Sequence, residues 1–217
     1  HGVASGTWYF EVGLEALPPS GAVRVGWAAA SSELHGPVGQ DARGYAYRSL
    51  EGHSVHASRR SEYGAAFGLG DVVGCLIHLP ALARAAPPAV KLESEPGQGL
   101  ATEAAGAPEA PESAGCLAKG LVAFTKNGEL QGVAYDQLPP GPYFPAVSLY
   151  SDTQQPLPVR VRANFGRDPA RALPSESAWS AELASRGAPF PPRWLTDGTF
   201  GFLGGLVLGP QTLPEEG

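Results

Sequence analysis

Short runs of alternating apolar and polar residues, each closed by Gly, Pro or Asn, recur along this chain and predict strands rather than helices. In Thr7-Trp-Tyr-Phe-Glu-Val12, Trp8, Phe10 and Val12 point one way and Tyr9 and Glu11 the other. Ala22-Val-Arg-Val-Gly-Trp27 repeats the pattern, with Val23, Val25 and Trp27 on one face and Arg24 on the opposite one. Pro18-Pro-Ser-Gly21 supplies the turn between them. Gly44–Arg48 reads as a third short strand and the apolar run Asp71–Leu79 as a fourth. Asn127-Gly128 between β-forming flanks is a hairpin signal, because a type I′ turn needs positive φ at both central residues. Its strands are expected near 121–126 and 130–135, followed by Tyr143–Tyr150 and Val159–Phe165. Many short strands without helical periodicity predict an all-β antiparallel sandwich. Trp8, Phe10, Val23, Val25, Trp27, Val73 and Phe124 are assigned to its core.

Two segments fall outside that pattern. Residues 81–117 are Ala, Pro, Glu and Gly with almost no large apolar side chains, so they cannot offset their ordering entropy. They are expected to form a disordered insert between two strands of one sheet. From about Asp168 the chain scatters Trp179, Phe190 and Trp194 among prolines, which predicts a loose, partly disordered tail. The expected organisation is a domain over 1–168 and a tail over 169–217. Gly and Pro contribute 29 and 22 of 217 residues, in keeping with many turns. No Met occurs, even at position 1, so the chain is expected to be a fragment of a longer protein.

A net charge of −6 supplies no field drawing nucleic acid to the whole chain. The basic bias between Thr153 and Leu195, six Arg against Asp168, Glu176 and Glu182, is explained by solvated strand ends. Cys75 lies in an apolar strand and Cys116 beside the insert, which fits free thiols in a reducing compartment. No apolar run approaches the ~20 residues that span a bilayer, and Gly201–Leu208 is short and glycine-rich.

No catalytic constellation is visible: a Gly-x-Ser-x-Gly elbow and a phosphate-binding P-loop are both missing from the sequence. Gly64–Gly70 lacks dinucleotide-binding spacing and reads as a glycine-dependent loop. His53-x-x-His56 has no suitably spaced third metal ligand. The expectation is a non-enzyme with no cofactor and no metal. The arginines offer more. Arg24 stands opposite a hydrophobic face, near in sequence to Arg43, Arg48, Tyr45 and Tyr47. If its strand meets the segment Gly36–Arg48 at one end of the sandwich, guanidinium forks and aromatic edges would suit an acidic peptide. Solvent-facing strand residues with no such role are the competing explanation.

The motifs quoted above resemble a SPRY domain, the concanavalin-like sandwich. Trp8-Tyr-Phe-Glu-Val12, Arg24-Val-Gly-Trp27, Gly70-Asp-Val-Val-Gly-Cys75, Phe124-Thr-Lys-Asn-Gly128, Tyr143-Phe-Pro-Ala146 and Val161-Arg-Ala-Asn-Phe-Gly166 follow the family's landmarks in order. Within that superfamily, His1-Gly-Val3, Glu15-Ala-Leu-Pro-Pro19, Ile77-His-Leu-Pro80 before a long insert, Asn127–Tyr135 and Tyr143–Tyr150 resemble the Ash-two (absent, small or homeotic discs two) subunit of COMPASS/MLL complexes. Those complexes methylate lysine four of histone H3 in the nucleus, regulating chromatin and transcription. The resemblance implies a scaffold that is not itself the methyltransferase. It implies binding to an acidic segment, phosphorylated or not, of a WD-repeat subunit of the retinoblastoma-binding-protein-five type, and support of a SET-domain enzyme.

The same resemblance assigns a peptide pocket to Arg24, Pro37 and Arg48, with Gln40 where the family has an aromatic and Leu50 where it has a Lys. Tyr45 is taken with them as a flanking ring. Losing one cation and one ring should weaken an acidic contact, since charge-assisted hydrogen bonds are worth ~1.5–3 kcal/mol each. After Trp194 no helical periodicity follows, so the family's helix for a dumpy-thirty-type subunit is not expected here. Two other SPRY roles stay open: a ubiquitin-ligase substrate receptor, and an RNA-associated protein of the heterogeneous nuclear ribonucleoprotein U type.

Overall fold

The alternation along the chain becomes two antiparallel sheets packed face to face. A computed structural model describes residues 2–81, 119–152, 157–168, 170, 173 and 176–195. The inserted residues 82–117, Cys116 among them, and the stretch from 196 onward lie outside the described residues.

The strands are β1 (Gly6–Ala16), β2 (Ala22–Ala29), β3 (Gly44–Arg48), β4 (Ser54–His56), β5 (Arg59–Ser61), β6 (Val72–Leu79), β7 (Gly120–Lys126), β8 (Glu129–Leu138), β9 (Tyr143–Tyr150) and β10 (Arg160–Asn164). A helix α1 (Glu176–Ser185) and a two-residue strand β11 (Arg193–Trp194) follow. One sheet runs β10-β1-β6-β7-β8, with β11 pairing parallel to the start of β1, and the other runs β5-β4-β3-β2-β9. The hairpin turn carries φ of 51° at Asn127 and 85° at Gly128, as a type I′ turn requires. The insert joins β6 to β7, which are antiparallel neighbours from Val73↔Lys126 to His78↔Leu121.

Between the sheets, Phe10, Val23, Val25, Trp27, Val73 and Phe124 are buried in one cluster, and Trp8 packs partly buried against it. Phe10 meets the Trp27 ring edge-on at 5.1 Å. Cys75 is fully buried there, and burial pushes its thiol well up.

The outer face of the six-stranded sheet is covered as well. Tyr9, Leu76, Leu121 and Ala123 form a second cluster with Leu183 of α1 and Ala188. This explains why all eight residues of β6 are buried: it has protein on both faces. The helix, which the sequence reading did not anticipate, stops at Gly187 (φ 76°), where the Ala188 N–H bonds the Leu183 carbonyl at 3.0 Å. Arg186 ties it to Asp136 on β8 at 2.9 Å, and Trp194 lies 5.1 Å from the Tyr9 ring. Residues 176–195 of the expected loose tail are therefore docked, because Leu183, Ala188 and Trp194 give that sheet face an apolar cover.

At the opposite sheet, β9 is an edge strand among the described residues. On its far side Val3 bridges Tyr143 through two backbone hydrogen bonds of 2.8 Å.

Candidate functional site

Pairing register fixes which side chains share a face, since directly opposed residues point the same way. In the five-stranded sheet Ser148, Arg24 and Arg48 lie in one row, Arg24 opposite Arg48 on β3 and opposite Ser148 on β9. Two residues along, Gly26, Ala46, Val55 and Arg60 form the next row on the same outer face. Arg24, Arg48 and Arg60 thus converge outside the sandwich, while Val23, Val25 and Trp27 fill its interior.

A loop sits over this row. Val38 is clamped by its backbone: its N–H donates to Ser148 Oγ at 3.1 Å and its carbonyl accepts from Arg24 Nη1 at 3.3 Å. The loop turns tightly there, the Gln40 N–H bonding the Pro37 carbonyl at 3.0 Å. Gly39 is required at that turn, with φ of 84° and a missing Cβ that would collide with the Val55 carbonyl. The loop is sewn to the turn between β4 and β5, where Ser58 Oγ donates to the Gln40 carbonyl at 2.8 Å. Pro37 is half-buried beside the row, and Gln40 is exposed with its amide against Gly36.

Electrostatically Arg24 is disfavoured as a cation in this row. Burial, then Arg48 and Arg60, pull the Arg24 guanidinium down to about 10. Among the described residues no carboxylate pairs with Arg24; Arg48 and Arg60 lower it and Tyr135 acts weakly the other way. Glu51 contacts Arg48 Nη1 at 3.2 Å, and its side chain is 64% exposed. Guanidinium groups directly opposed across two strands repel, so the arrangement is one that an added anion would stabilise.

The structure therefore brings Arg24, Pro37, Gln40 and Arg48 together and leaves Tyr45 out. Tyr45 is buried on the inner face, stacked on His56 at 4.3 Å and edge-on to Tyr135 at 5.0 Å. The reason is parity: Tyr45 and Arg48 are three residues apart on one strand, so they face opposite sides. The two histidines diverge, His53 toward Glu51 and His56 Nδ1 toward the Gly44 carbonyl at 2.8 Å. Arg60, Glu51 and the Val38 backbone were missed in the sequence. The adjacent Arg59-Arg60 pair was the available signal, but its register against β3 was not readable.

A second concavity of about 290 Å³ opens on the other sheet, lined by Glu11, Glu15, Asp71, Arg162, Asn164 and Asp168. Glu11 there is buried and accepts from Tyr9 OH and Asn164 Nδ2, each at 3.2 Å, while Arg162 is bound by Glu15 at 2.6 Å. Its acidic lining makes it the wrong place for an anion.

A family model for the SPRY domain matches residues 7–81, the stretch that holds both Arg24 and Arg48. The chain carries a SPRY domain. It is similar, at 33% identity over 177 residues, to the Set1/Ash2 histone methyltransferase complex subunit ASH2 of Drosophila melanogaster, covering 76% of this chain and 30% of that protein. It is 35% identical over 166 residues to the Set1/Ash2 histone methyltransferase complex subunit ash-2 of Caenorhabditis elegans, covering 69% of this chain and 29% of that protein. A further likeness, 29% over 191 residues, is to Ran-binding protein 10 of Danio rerio, covering 87% and 24%. The chain thus spans less than a third of the length of these curated relatives. The SPRY match ends just after β6, and strands β7 to β10 complete the sandwich beyond it.

Proposed function

We propose that this SPRY domain is a non-catalytic protein-binding module of a nuclear histone H3 lysine-four methyltransferase complex of the COMPASS type. In that role its arginine row receives an acidic segment, phosphorylated or not, of a WD-repeat subunit, and the pair supports a SET-domain methyltransferase. The similarity to the fly and worm subunits supports membership of the complex. The observation that carries the binding reading is the opposition of Arg24 and Arg48 on adjacent strands, with no carboxylate on Arg24 among the described residues. A chain of carboxylates laid along the row would relieve that repulsion and gain bidentate hydrogen bonds.

Titration calorimetry with an Asp/Glu-rich peptide tests it. Arg24→Ala and Arg48→Ala should each weaken binding by about ten- to a hundredfold, as expected when a charge-assisted hydrogen bond worth ~1.5–3 kcal/mol is removed. Unchanged affinity in both variants would sink the site. An oligoribonucleotide that competes equally well, and loses affinity in the same variants, would favour the RNA-associated reading instead.

A further inference from the structure

We infer that Arg48 and His53 form an anion seat which the chain's own Glu51 occupies, so that an acidic ligand must displace Glu51 to engage the whole row. This rests on the acidic-ligand reading above and adds two residues which that reading does not use.

The geometry is specific. One oxygen, Glu51 Oε2, lies 3.2 Å from Arg48 Nη1 and 3.2 Å from His53 Nδ1. The two donors are recessed, with side chains 13% and 24% exposed, while Glu51 is 64% exposed. A largely covered pair of nitrogens behind a solvent-facing carboxylate describes a seat and its occupant. The occupant fits imperfectly: His53 Nδ1 is shielded from solvent yet makes no aligned hydrogen bond among the described residues.

The seat does not depend on the occupant for its shape. The Arg48 N–H bonds the His53 carbonyl at 2.9 Å, so the backbone closes the turn between β3 and β4 and holds the two residues in fixed relation. Glu51 itself sits in the left-handed region at φ 61°, followed by Gly52 at 69°. Side chains other than Gly, Asn and Asp are disfavoured there, so Glu is not the residue this turn selects for its backbone. Glu51 also places a negative charge at the mouth of the row, where it repels incoming carboxylates. An exposed ion pair is weak and easily broken. A ligand that engages Arg24 at the same time can therefore displace it, but with reduced net affinity.

The test measures binding of an Asp/Glu-rich peptide by calorimetry at fixed ionic strength for the wild type, Glu51→Gln, Glu51→Asn, His53→Ala and Arg24→Ala. Removing the resident charge should tighten binding by about three- to tenfold in both Glu51 variants. Combining His53→Ala with Glu51→Asn should cancel most of that gain. Thermal midpoints should show Glu51→Asn folded at least as stably as wild type, since Asn tolerates the left-handed turn. Glu51 variants that bind no tighter than wild type, while Arg24→Ala weakens binding, would overturn the inference and leave the arginine row standing. Peptide binding absent from wild type and every variant would overturn both.

Discussion

Replacing Arg24 by Met should make the protein more stable while weakening its hold on an acidic ligand. The guanidinium ordinarily titrates near 12.5 and is pulled down to about 10, first by burial and then by Arg48 and Arg60. The sign is that of a cost. The charged form is disfavoured in the fold at every pH below that value, and the deficit is relieved only as pH rises through it. Unscreened, the difference would correspond to about 3 kcal/mol; because Arg24 is partly open to solvent, about 1 kcal/mol is the realistic part. Against this stands the 3.3 Å hydrogen bond to the Val38 carbonyl, a long one worth about 0.5 kcal/mol. Arg24→Met should therefore raise unfolding free energy by about 0.5 kcal/mol in urea at pH 7 and low salt. At 1 M salt, where the Debye length is about 3 Å, screening should remove the part of the gain owed to Arg48 and Arg60 and leave the part owed to burial. Acidic-peptide binding should weaken about ten- to a hundredfold in the same variant. A loss of more than about 1 kcal/mol at both salt concentrations, with binding retained, would show that Arg24 holds the fold rather than a ligand.

Three further outcomes follow from the packing and the titrating groups. Leu183→Ala should cost about 2–3 kcal/mol of local stability, seen in hydrogen exchange as faster exchange over 176–188 than in β6; equal exchange in variant and wild type would show that α1 is not held by Leu183. Asn127 donates from Nδ2 to Asp71 Oδ1 at 2.7 Å, accepts the Val72 N–H at 2.8 Å and holds φ at 51°. Asn127→Ala should therefore destabilise by about 2 kcal/mol and Asn127→Gly by less, since Gly keeps the backbone angle; equal losses in denaturant melts would leave the left-handed angle without consequence. Desolvation pushes the Asp71 carboxyl up, but hydrogen bonds from Asn127, the Gly68 N–H and Lys126 outweigh it and hold the group below its ordinary value. Its contribution is present above the unfolded-state pKa and lost as pH falls through the lower folded value. Stability should accordingly drop as pH falls below the ordinary carboxylate range, with a shallower slope in Asp71→Asn.

The strands were legible wherever alternation ran for five residues or more. Val23, Val25 and Trp27 declared one face of β2 and Arg24 the other, and the structure keeps that division. The Asn127-Gly128 turn and its flanks were equally plain, because backbone sterics alone specify them. Strands β4 and β5 went unread because three residues carry no periodicity, and β5 buries nothing. Helix α1 was hard to read for a related reason: it spans only ten residues among Ser, Ala and Glu, and of its described side chains Leu183 is the one buried in the second cluster. At the site, Arg24 and Arg48 were singled out by strand pattern and Pro37 by family likeness, and register then set the two arginines opposite each other. Tyr45 was assignable to the other face by counting residues along β3. The seat at Arg48 and His53 was beyond reach, because it depends on a turn that brings Glu51 back across its own strand end.

Strand β9 carries one more consequence. Val3 bonds the outward backbone groups of Tyr143, so by alternation positions 145, 147 and 149 also aim their backbone away from β2. Position 145 is a proline and has no N–H to offer. A foreign strand sliding along this edge meets a missing rung one step beyond the Val3 bridge, which breaks the ladder that edge-to-edge aggregation needs. A single imino acid in this strand thus works against edge-to-edge growth of the sheet.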